Sequence, residues 1–143
     1  MVKDEIKENF PYKVIHIDGC EADDIIGTIT ESVSKEEIES YIVSGDKDFM
    51  QLINNKIFLY TPGKRNASPM IYDARGVLDK WDLPPDKIID LLALMGDSSD
   101  NVPGVAGVGV KTAVKLLQKY GDLDTVFENV EKITNKRVNN GLT

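Results

Sequence analysis

The sequence has few of the residues that build disulfide frameworks and soft-metal sites. Its 143 residues include one cysteine, Cys20, and one histidine, His16. A single cysteine forms no internal disulfide, and the two side chains offer too few ligands for a structural zinc ion. No apolar run is long enough for a signal peptide or a membrane span. We therefore expect a cytoplasmic protein without membrane contact, and not a secreted domain held by disulfides.

The chain also lacks the excess of positive charge that is common among domains binding polyanions. Its formal net charge is −7 at pH 7. The excess of acid lies before Gly96, whereas acids and bases are equal in number from Gly96 onward. Between Pro103 and Gly121 there are three lysines and no acid. The net charge therefore does not exclude a polyanionic partner for the later part of the chain.

Strand-like and helix-like segments alternate up to Met95, and only helix-like segments follow. The predicted strands are Tyr12–Ile17, Ser40–Ser44 and Lys56–Tyr60. The compact apolar run Ser40–Ser44 is expected to be buried. The predicted helices are Ala22–Val33, Ala74–Trp81, Asp86–Met95, Lys111–Tyr120 and Leu123–Asn129. This alternation predicts an α/β layer with a mostly parallel sheet. We expect two parts, an α/β core at residues 1–95 and an all-helical unit at residues 96–143.

Seven carboxylates fall in three clusters, each at the boundary of a predicted element. They are Glu21, Asp23 and Asp24 before the first helix, Asp46 and Asp48 after a strand, and Asp97 and Asp100 in "GDSSDN". Ligands of open α/β sheets bind at the carboxyl ends of strands, and carboxylates that meet there must protonate or share cations. Mg²⁺ and Mn²⁺ prefer oxygen ligands, and two such ions can clamp a phosphodiester during hydrolysis. The clusters therefore predict a two-metal site for Mg²⁺ or Mn²⁺.

Each cluster also has a simpler explanation. Acids at a helix start interact favourably with the helix dipole, Gly-Asp favours a turn, and "GDSSDN" is also typical of a polar connector. Three acids in four positions repel one another, however, and the dipole contributes only about 0.3–1 kcal/mol for each. A calcium loop of the EF-hand type is disfavoured because its D-x-D-x-D-G spacing and closing Glu are absent.

The glycine-rich stretch "GVAGVGVKT" resembles two nucleotide-binding motifs without matching either. A Walker A loop fails because Val110 stands before Lys111, and a dinucleotide fingerprint fails because Thr112 stands where its third glycine belongs. Gly107 and Gly109 permit a tight turn with free backbone N–H groups directly before a helix, which is an arrangement that binds phosphate. The following lysines, Lys111, Lys115 and Lys119, recur every four residues. A solvated lysine face is the alternative, but together with the hairpin they favour contacts to a nucleic-acid backbone.

Three stretches in this order, "EADDIIGT", "VSGDKDFMQL" and "ALMGDSSDNVPGVAGVGVKTAVKLL", resemble the 5′-nuclease domain of bacterial DNA polymerase I and its phage and flap-endonuclease relatives. The resemblance extends from about Tyr12 to Glu128. It implies a PIN-like α/β core followed by a helix–hairpin–helix unit. It also implies a structure-specific 5′-3′ exonuclease and flap endonuclease that uses divalent metal on 5′ flaps and nicked or gapped duplex DNA, in replication and repair.

The resemblance also implies roles for individual residues. The metal ligands would be Glu21, Asp23, Asp24, Asp46, Asp48, Asp97 and Asp100, of which Asp46, Asp48 and Asp97 would be catalytic. The DNA-binding residues would be Gly104, Gly107, Gly109, Lys111, Thr112 and Lys115. A K⁺ ion is often held by the hairpin loop of this family. Such a protein would be associated with the nucleoid or encoded by a phage.

The sequence departs from the family at its beginning. Family members start with a strand that carries a further metal-binding Asp, followed by a helical arch rich in Arg and Lys. Only 20 residues precede Glu21 here. We therefore expect the carboxyl-terminal part of a nuclease domain, whose partner is a polymerase domain or the missing amino-terminal nuclease segment. The alternatives are a non-catalytic DNA-binding fragment of such a nuclease, inactive without the missing amino-terminal segment, and, more distantly, a metal-dependent phosphatase.

Overall fold

The computed structural model describes residues 8–9, 11–63 and 68–142. A three-stranded sheet and six helices lie within these residues. The strands are β1 (Ser40–Val43), β2 (Ile57–Thr61) and β3 (Met70–Tyr72). The helices are α1 (Ala22–Ser34), α2 (Ala74–Trp81), α3 (Ile88–Met95), α4 (Val110–Tyr120), α5 (Leu123–Glu128) and α6 (Lys136–Leu142). Short 3-10 turns cover Asp48–Leu52, Pro85–Lys87 and Val130–Lys132. None of the described helices is long and apolar enough to cross a bilayer.

The sheet has the spatial order β1-β2-β3. β1 pairs with β2 in parallel, with Ser40 opposite Ile57, whereas β2 pairs with β3 antiparallel, with Tyr60 opposite Ile71. The prediction of an α/β part followed by a helical unit is confirmed. The short antiparallel strand β3 was not predicted, so the sheet is mixed, with one parallel pair and one antiparallel pair.

One buried core connects the sheet to the helical unit. The inward residues of β2, Ile57 and Leu59, are fully buried and belong to the same core as Leu91 and Leu94 of α3. That core continues through Leu117 of α4 and other residues of the helical unit. α3 contacts α4 directly. The predicted boundary between residues 95 and 96 therefore falls directly after the helix that packs against α4, and it remains a prediction.

Local signals explain where several helices begin and end. The Asp73 carboxylate accepts a hydrogen bond from Gly76 N at 2.7 Å and so caps α2, whose C-cap residue Asp82 lies in the left-handed region with φ 55°. The Asp122 carboxylate caps α5 in the same way, accepting from Thr125 N at 2.8 Å. Each cap satisfies a backbone N–H that the first turn of a helix leaves without a partner.

Two strand predictions need correction. Tyr12–Ile17 was predicted as a strand, but its described backbone pairs with no strand, and Tyr12, Ile15 and Ile17 are exposed. An alternating apolar pattern forms a strand only where a neighbouring strand accepts its hydrogen bonds. β1 was predicted as buried, yet within it only Ile42 is, while Tyr41 and Val43 are exposed. β1 is therefore an edge strand with one face turned outward.

Candidate metal centre and nucleic-acid interface

Three acids from two of the predicted clusters meet in space. Carboxylate oxygens of Asp48, Asp97 and Asp100 all lie within 4.8 Å of one another. Asp48 begins the 3-10 turn that follows β1, and the other two lie in the loop after α3. Oxygen atoms at this spacing can bind one hard divalent cation, which takes carboxylate and water ligands.

The turn after β1 is held by hydrogen bonds of its own side chains. Asp46 N donates to Ser44 Oγ at 3.0 Å, and Asp48 N donates to Asp46 Oδ1 at 3.0 Å. Asp46 therefore fixes the backbone from which Asp48 projects. The Asp46 carboxylate does not belong to the group of three carboxylates. Its observed contact is the hydrogen bond that it accepts from Asp48 N.

The loop after α3 presents Asp97 through a short antiparallel bridge. Asp97 N donates to Val102 O at 2.9 Å, and Val102 N donates back to Asp97 O at 2.8 Å. Ser99 N donates to Asp97 Oδ1 at 3.0 Å, and Asn101 adopts a positive φ of 57°. The Asp97 side chain is 7% exposed, whereas Asp100 is exposed. A buried carboxylate is thus held on the inner side of the loop.

Lys47 is the cation nearest to this group. Its Nζ donates a hydrogen bond to Asp97 Oδ2 and lies 3.3 Å from Asp48 Oδ1. The hydrogen bond from Lys47 lowers the pKa of Asp97, and the same bond raises the pKa of Lys47. Burial raises the pKa of Asp48 above its usual value, despite the nearby ammonium group.

One buried oxygen of Asp48 could serve as a ligand to a divalent cation. Asp48 Oδ1 accepts no hydrogen bond from the residues that the structure describes, and Lys47 Nζ lies 3.3 Å from it. An ion pair at that distance satisfies a buried carboxylate oxygen less well than a hydrogen bond or a coordinated metal ion does. The donor set of Asp48, Asp97 and Asp100 consists of hard oxygens alone, as Mg²⁺ and Mn²⁺ prefer.

The first acid cluster lies beside the same residue. Asp23 and Asp24, in the first turn of α1, line a cavity of about 250 Å³ together with Asp48. Asp48 is therefore shared by this cavity and by the group of three carboxylates. Glu21 is the N-cap residue of α1, makes no side-chain cap hydrogen bond and is exposed. All three predicted clusters thus contribute at least one carboxylate to the surroundings of Asp48.

The glycine hairpin leaves backbone donors free before α4. Gly107 has a positive φ of 85°, and Gly109 is the N-cap residue of α4 without a side-chain cap. Within the described part of the chain, the N–H groups of these two glycines donate to no protein acceptor. Together with the helix dipole, such free N–H groups attract anions. Gly104, by contrast, packs against the backbone of Gly96 and supports the loop.

The predicted lysine stripe is exposed along α4. Lys111, Lys115 and Lys119 face solvent, while Ala113, Leu116 and Leu117 are buried; Thr112 is half-buried. Two clefts flank the helix. One of about 340 Å³ includes Lys80 and Lys111, and one of about 230 Å³ includes Lys119 and Lys132. Lys115 lines both, so basic side chains continue on either side of the stripe.

Four basic residues near these two sites were not predicted. Lys80 and Lys132 lie far from α4 in the sequence, and no spacing connects them to it. Arg137 of α6 packs on the hairpin so closely that a Cβ atom at Gly107 would lie 2.7 Å from Arg137 Cγ. Lys47 lies inside the motif "SGDKD", but the interpretation of that motif rested on its acids alone.

Two models of protein families match the chain from residue 2 to its end. The model described as "5′-3′ exonuclease, N-terminal resolvase-like domain" matches residues 2–82, and the model described as "5′-3′ exonuclease, C-terminal SAM fold" matches residues 83–143. The chain is 43% identical over 129 residues to DNA polymerase I of Rhizobium leguminosarum. It is 41% identical over 129 residues to the 5′-3′ exonuclease of Buchnera aphidicola subsp. Schizaphis graminum. Both alignments include 90% of this chain, but 12% of the polymerase and 44% of the exonuclease.

Solved structures show the same fold. The flap endonuclease of bacteriophage T5, in a complex with DNA and metal ions, superposes with a TM-score of 0.82 at 23% identity, over 97% of this chain and 49% of that one. The T5 5′-exonuclease with bound zinc also gives a TM-score of 0.82, over 98% of this chain and 50% of that one. The catalytic core of Rad2 with DNA substrate gives a TM-score of 0.52 at 22% identity, over 74% of this chain and 34% of that one. The chain thus spans about half of the T5 nuclease and less than half of the curated relatives above.

Proposed function

The chain belongs to the 5′-3′ exonuclease family, and we propose on that basis that it takes part in metal-dependent hydrolysis of DNA phosphodiesters at 5′ ends and flaps, in replication and repair. One observation carries the proposal. The loop from Gly96 to Gly104 carries Asp97 and Asp100 into the carboxylate group and leads directly into the hairpin before α4. The proposed metal ligands and the proposed phosphate-binding hairpin are therefore joined by a single short segment.

The carboxylate group would hold Mg²⁺ or Mn²⁺ through Asp48, Asp97 and Asp100, with Asp23 and Asp24 beside Asp48 as ligands of a second ion. When bound, such ions polarise a phosphodiester and lower the pKa of a bound water so that it can attack. The Asp46 carboxylate orients Asp48 by accepting a hydrogen bond from the Asp48 backbone N–H. The bridge between Asp97 and Val102 orients Asp97. Glu21 would contribute through its charge at the start of α1.

The hairpin would bind the phosphates of duplex DNA away from the scissile bond. The free N–H groups of Gly107 and Gly109 fit phosphate oxygens, and Lys111, Lys115 and Lys119 supply charge without reading the bases. A K⁺ ion in the hairpin loop is part of this proposal, as the family resemblance implies. Binding of 5′ flaps and of nicked or gapped duplexes would place the protein beside cellular DNA.

A flap-cleavage assay tests the proposal. A 5′-labelled flap duplex is incubated with the chain and Mg²⁺ or Mn²⁺, in parallel with Asp48→Asn and with the control Asp79→Asn, which removes one exposed acid from α2. We expect cleavage that needs metal and falls at least about 10²-fold in Asp48→Asn, since small displacements of reacting groups cost that much. The control should cleave like the wild type. Cleavage that persists in chelator or in Asp48→Asn would contradict the proposal, and DNA binding without cleavage would favour the non-catalytic fragment.

A further inference from the structure

We propose that Lys47 is a built-in counter-ion of the carboxylate group, which a divalent ion must displace before Asp48 and Asp97 can bind it. The inference rests on the proposed function, since it concerns the same carboxylates. It assigns to Lys47 a positioning role, because this side chain contacts the candidate ligands and not a substrate.

The contacts of Lys47 are those of a competitor for the ligand oxygens. Its ammonium group hydrogen-bonds Asp97 Oδ2 and lies 3.3 Å from Asp48 Oδ1. Both acids belong to the group whose oxygens lie within 4.8 Å of one another. A divalent ion binds carboxylate oxygens at about 2.0–2.6 Å. Lys47 Nζ cannot keep its place against the same oxygens at that distance, because the two cations would repel each other strongly.

The position of Lys47 is set by the fold. Its backbone lies inside the turn that Ser44 and Asp46 hold with hydrogen bonds, and its side chain is 31% exposed. Asp97 is almost fully buried, so its charge needs a partner within the protein. Within the described part of the chain, Lys47 is the cation that contacts Asp97. The flexible four-carbon stem of a lysine allows the ammonium group to swing toward solvent once a metal takes its place.

Two consequences distinguish this role from a merely structural ion pair. In the metal-free protein Lys47 lowers the repulsion among the acids and keeps Asp97 oriented. In the metal-bound protein the same residue lowers the affinity, because its contacts must be broken first. Loss of Lys47 should therefore weaken the metal-free fold and strengthen metal binding, which are effects of opposite sign.

Calorimetric titration with Mn²⁺ and thermal unfolding without metal measure the two effects. Lys47→Met removes the charge, Lys47→Gln removes it but keeps a hydrogen-bond donor, and Lys47→Arg keeps it. We expect about tenfold tighter Mn²⁺ binding in Lys47→Met and Lys47→Gln, the effect of losing one charge-assisted hydrogen bond, and a lower metal-free Tm. Lys47→Arg should stay near the wild type. The matched control is Lys56→Met, because Lys56 is similarly buried and pairs with Glu37 at 3.0 Å, outside this group.

Nuclear magnetic resonance of ¹³Cε-labelled lysines tests displacement in the unmodified chain. The Lys47 signal, assigned as the one missing in Lys47→Arg, should shift during Mg²⁺ addition and saturate with the calorimetric Kd, while the Lys56 signal stays in place. Unchanged or weaker Mn²⁺ binding in both neutral variants, or a Lys47 signal insensitive to Mg²⁺, would overturn the inference. If Asp48→Asn still abolishes metal binding in that case, the proposed function survives. Failure of the wild type to bind either ion overturns both.

Discussion

The Cα atom of Gly104 lies against the backbone of Gly96, so closely that a Cβ atom at Gly104 would come within 2.3 Å of Gly96 N. Both glycines have positive φ, 81° at Gly96 and 65° at Gly104. Directly beyond the contact, Val105 N donates to Leu94 O at 2.8 Å. The contact closes the loop that carries Asp97 and returns the chain to α3 before the hairpin begins. The two glycines thereby allow the close approach that closes this loop.

Replacing Gly104 by Ala should destabilise the protein by at least about 2 kcal/mol, because a left-handed backbone and a clash with backbone atoms act together. Urea unfolding at neutral pH measures the loss. Gly45→Ala is the control, since a Cβ atom at Gly45 would meet nothing within 4 Å. Its stability should change by no more than about 1 kcal/mol. Equal stability of the two variants would mean that the contact between Gly96 and Gly104 is not a close one in solution.

Replacing Gly109 should weaken DNA binding with little loss of stability. A Cβ atom at Gly109 would meet nothing within 4 Å, whereas one at Gly107 would clash with Arg137 in a left-handed backbone. Gly109→Val should therefore cost only about 1 kcal/mol of stability, through a poorer helix cap, yet weaken duplex binding by crowding the free N–H groups. Gly107→Val should lower both the stability and the duplex affinity. Fluorescence anisotropy with a labelled duplex measures the affinity, and urea unfolding measures the stability. Undiminished duplex affinity in Gly109→Val would exclude the hairpin as a phosphate site.

Salt dependence should reveal how many phosphates the lysine stripe neutralises. Three contacts from Lys111, Lys115 and Lys119 predict a slope of log K against log salt of roughly −3, and each cation removed should reduce it by about one. Lys115→Met is the most informative change, because Lys115 lines both clefts beside α4. Lys56→Met, outside the stripe, should leave the slope unchanged. A slope near zero in the wild type would contradict phosphate binding by α4.

The cap of α5 should make stability depend on pH at the acidic end. Hydrogen bonds from Thr125 lower the pKa of Asp122 in the folded protein. A lowered folded pKa contributes stability that is present above the unfolded value of about 3.9 and is lost as pH falls through the folded value. Asp122→Asn keeps a cap but does not titrate. The wild-type Tm should therefore fall relative to that of Asp122→Asn as pH drops below about 4. Parallel curves of Tm against pH would contradict the contribution of this cap.

Local patterns in the sequence predicted most helices. Ala74–Trp81 was predicted with the bounds that the structure has, and the structure shows that Asp73 caps it. Tyr12–Ile17 failed because alternation does not reveal whether a neighbouring strand exists. β3 was missed because three residues carry too little pattern.

The candidate site was predictable in its residue types and not in its contacts. Acids at the ends of elements were predicted to converge, and the structure brings Asp48, Asp97 and Asp100 together but leaves the Asp46 carboxylate outside that group. Their role as metal ligands remains a prediction. The direction of Lys47 toward Asp97, and the contact of Gly104 with Gly96, depend on how two distant segments pack. No spacing in the sequence encodes either contact.

Neutralising Asp48 and neutralising Asp97 should change the Tm in opposite directions. Burial raises the pKa of Asp48, so its charged form is disfavoured in the folded protein, whereas the hydrogen bond from Lys47 lowers the pKa of Asp97 and favours its charge. At pH 7 and without metal, Asp48→Asn should therefore raise the Tm and Asp97→Asn should lower it. The gain from Asp48→Asn should shrink as pH falls through the raised pKa of Asp48, because protonation then neutralises the wild type as well.

Metal should reverse the order of wild type and Asp48→Asn. An ion that binds only the folded state adds about 2.7 kcal/mol of stability at a hundredfold excess over its Kd. Mg²⁺ or Mn²⁺ should thus raise the wild-type Tm and leave the Tm of Asp48→Asn unchanged, so that the variant is the more stable protein in chelator and the less stable one in metal. Asp79→Asn, altered outside the site, should respond to metal as the wild type does. The same Tm increase in Asp48→Asn would mean that the ions bind elsewhere, because Asp48 is the residue shared by the three-carboxylate group and the cavity beside α1.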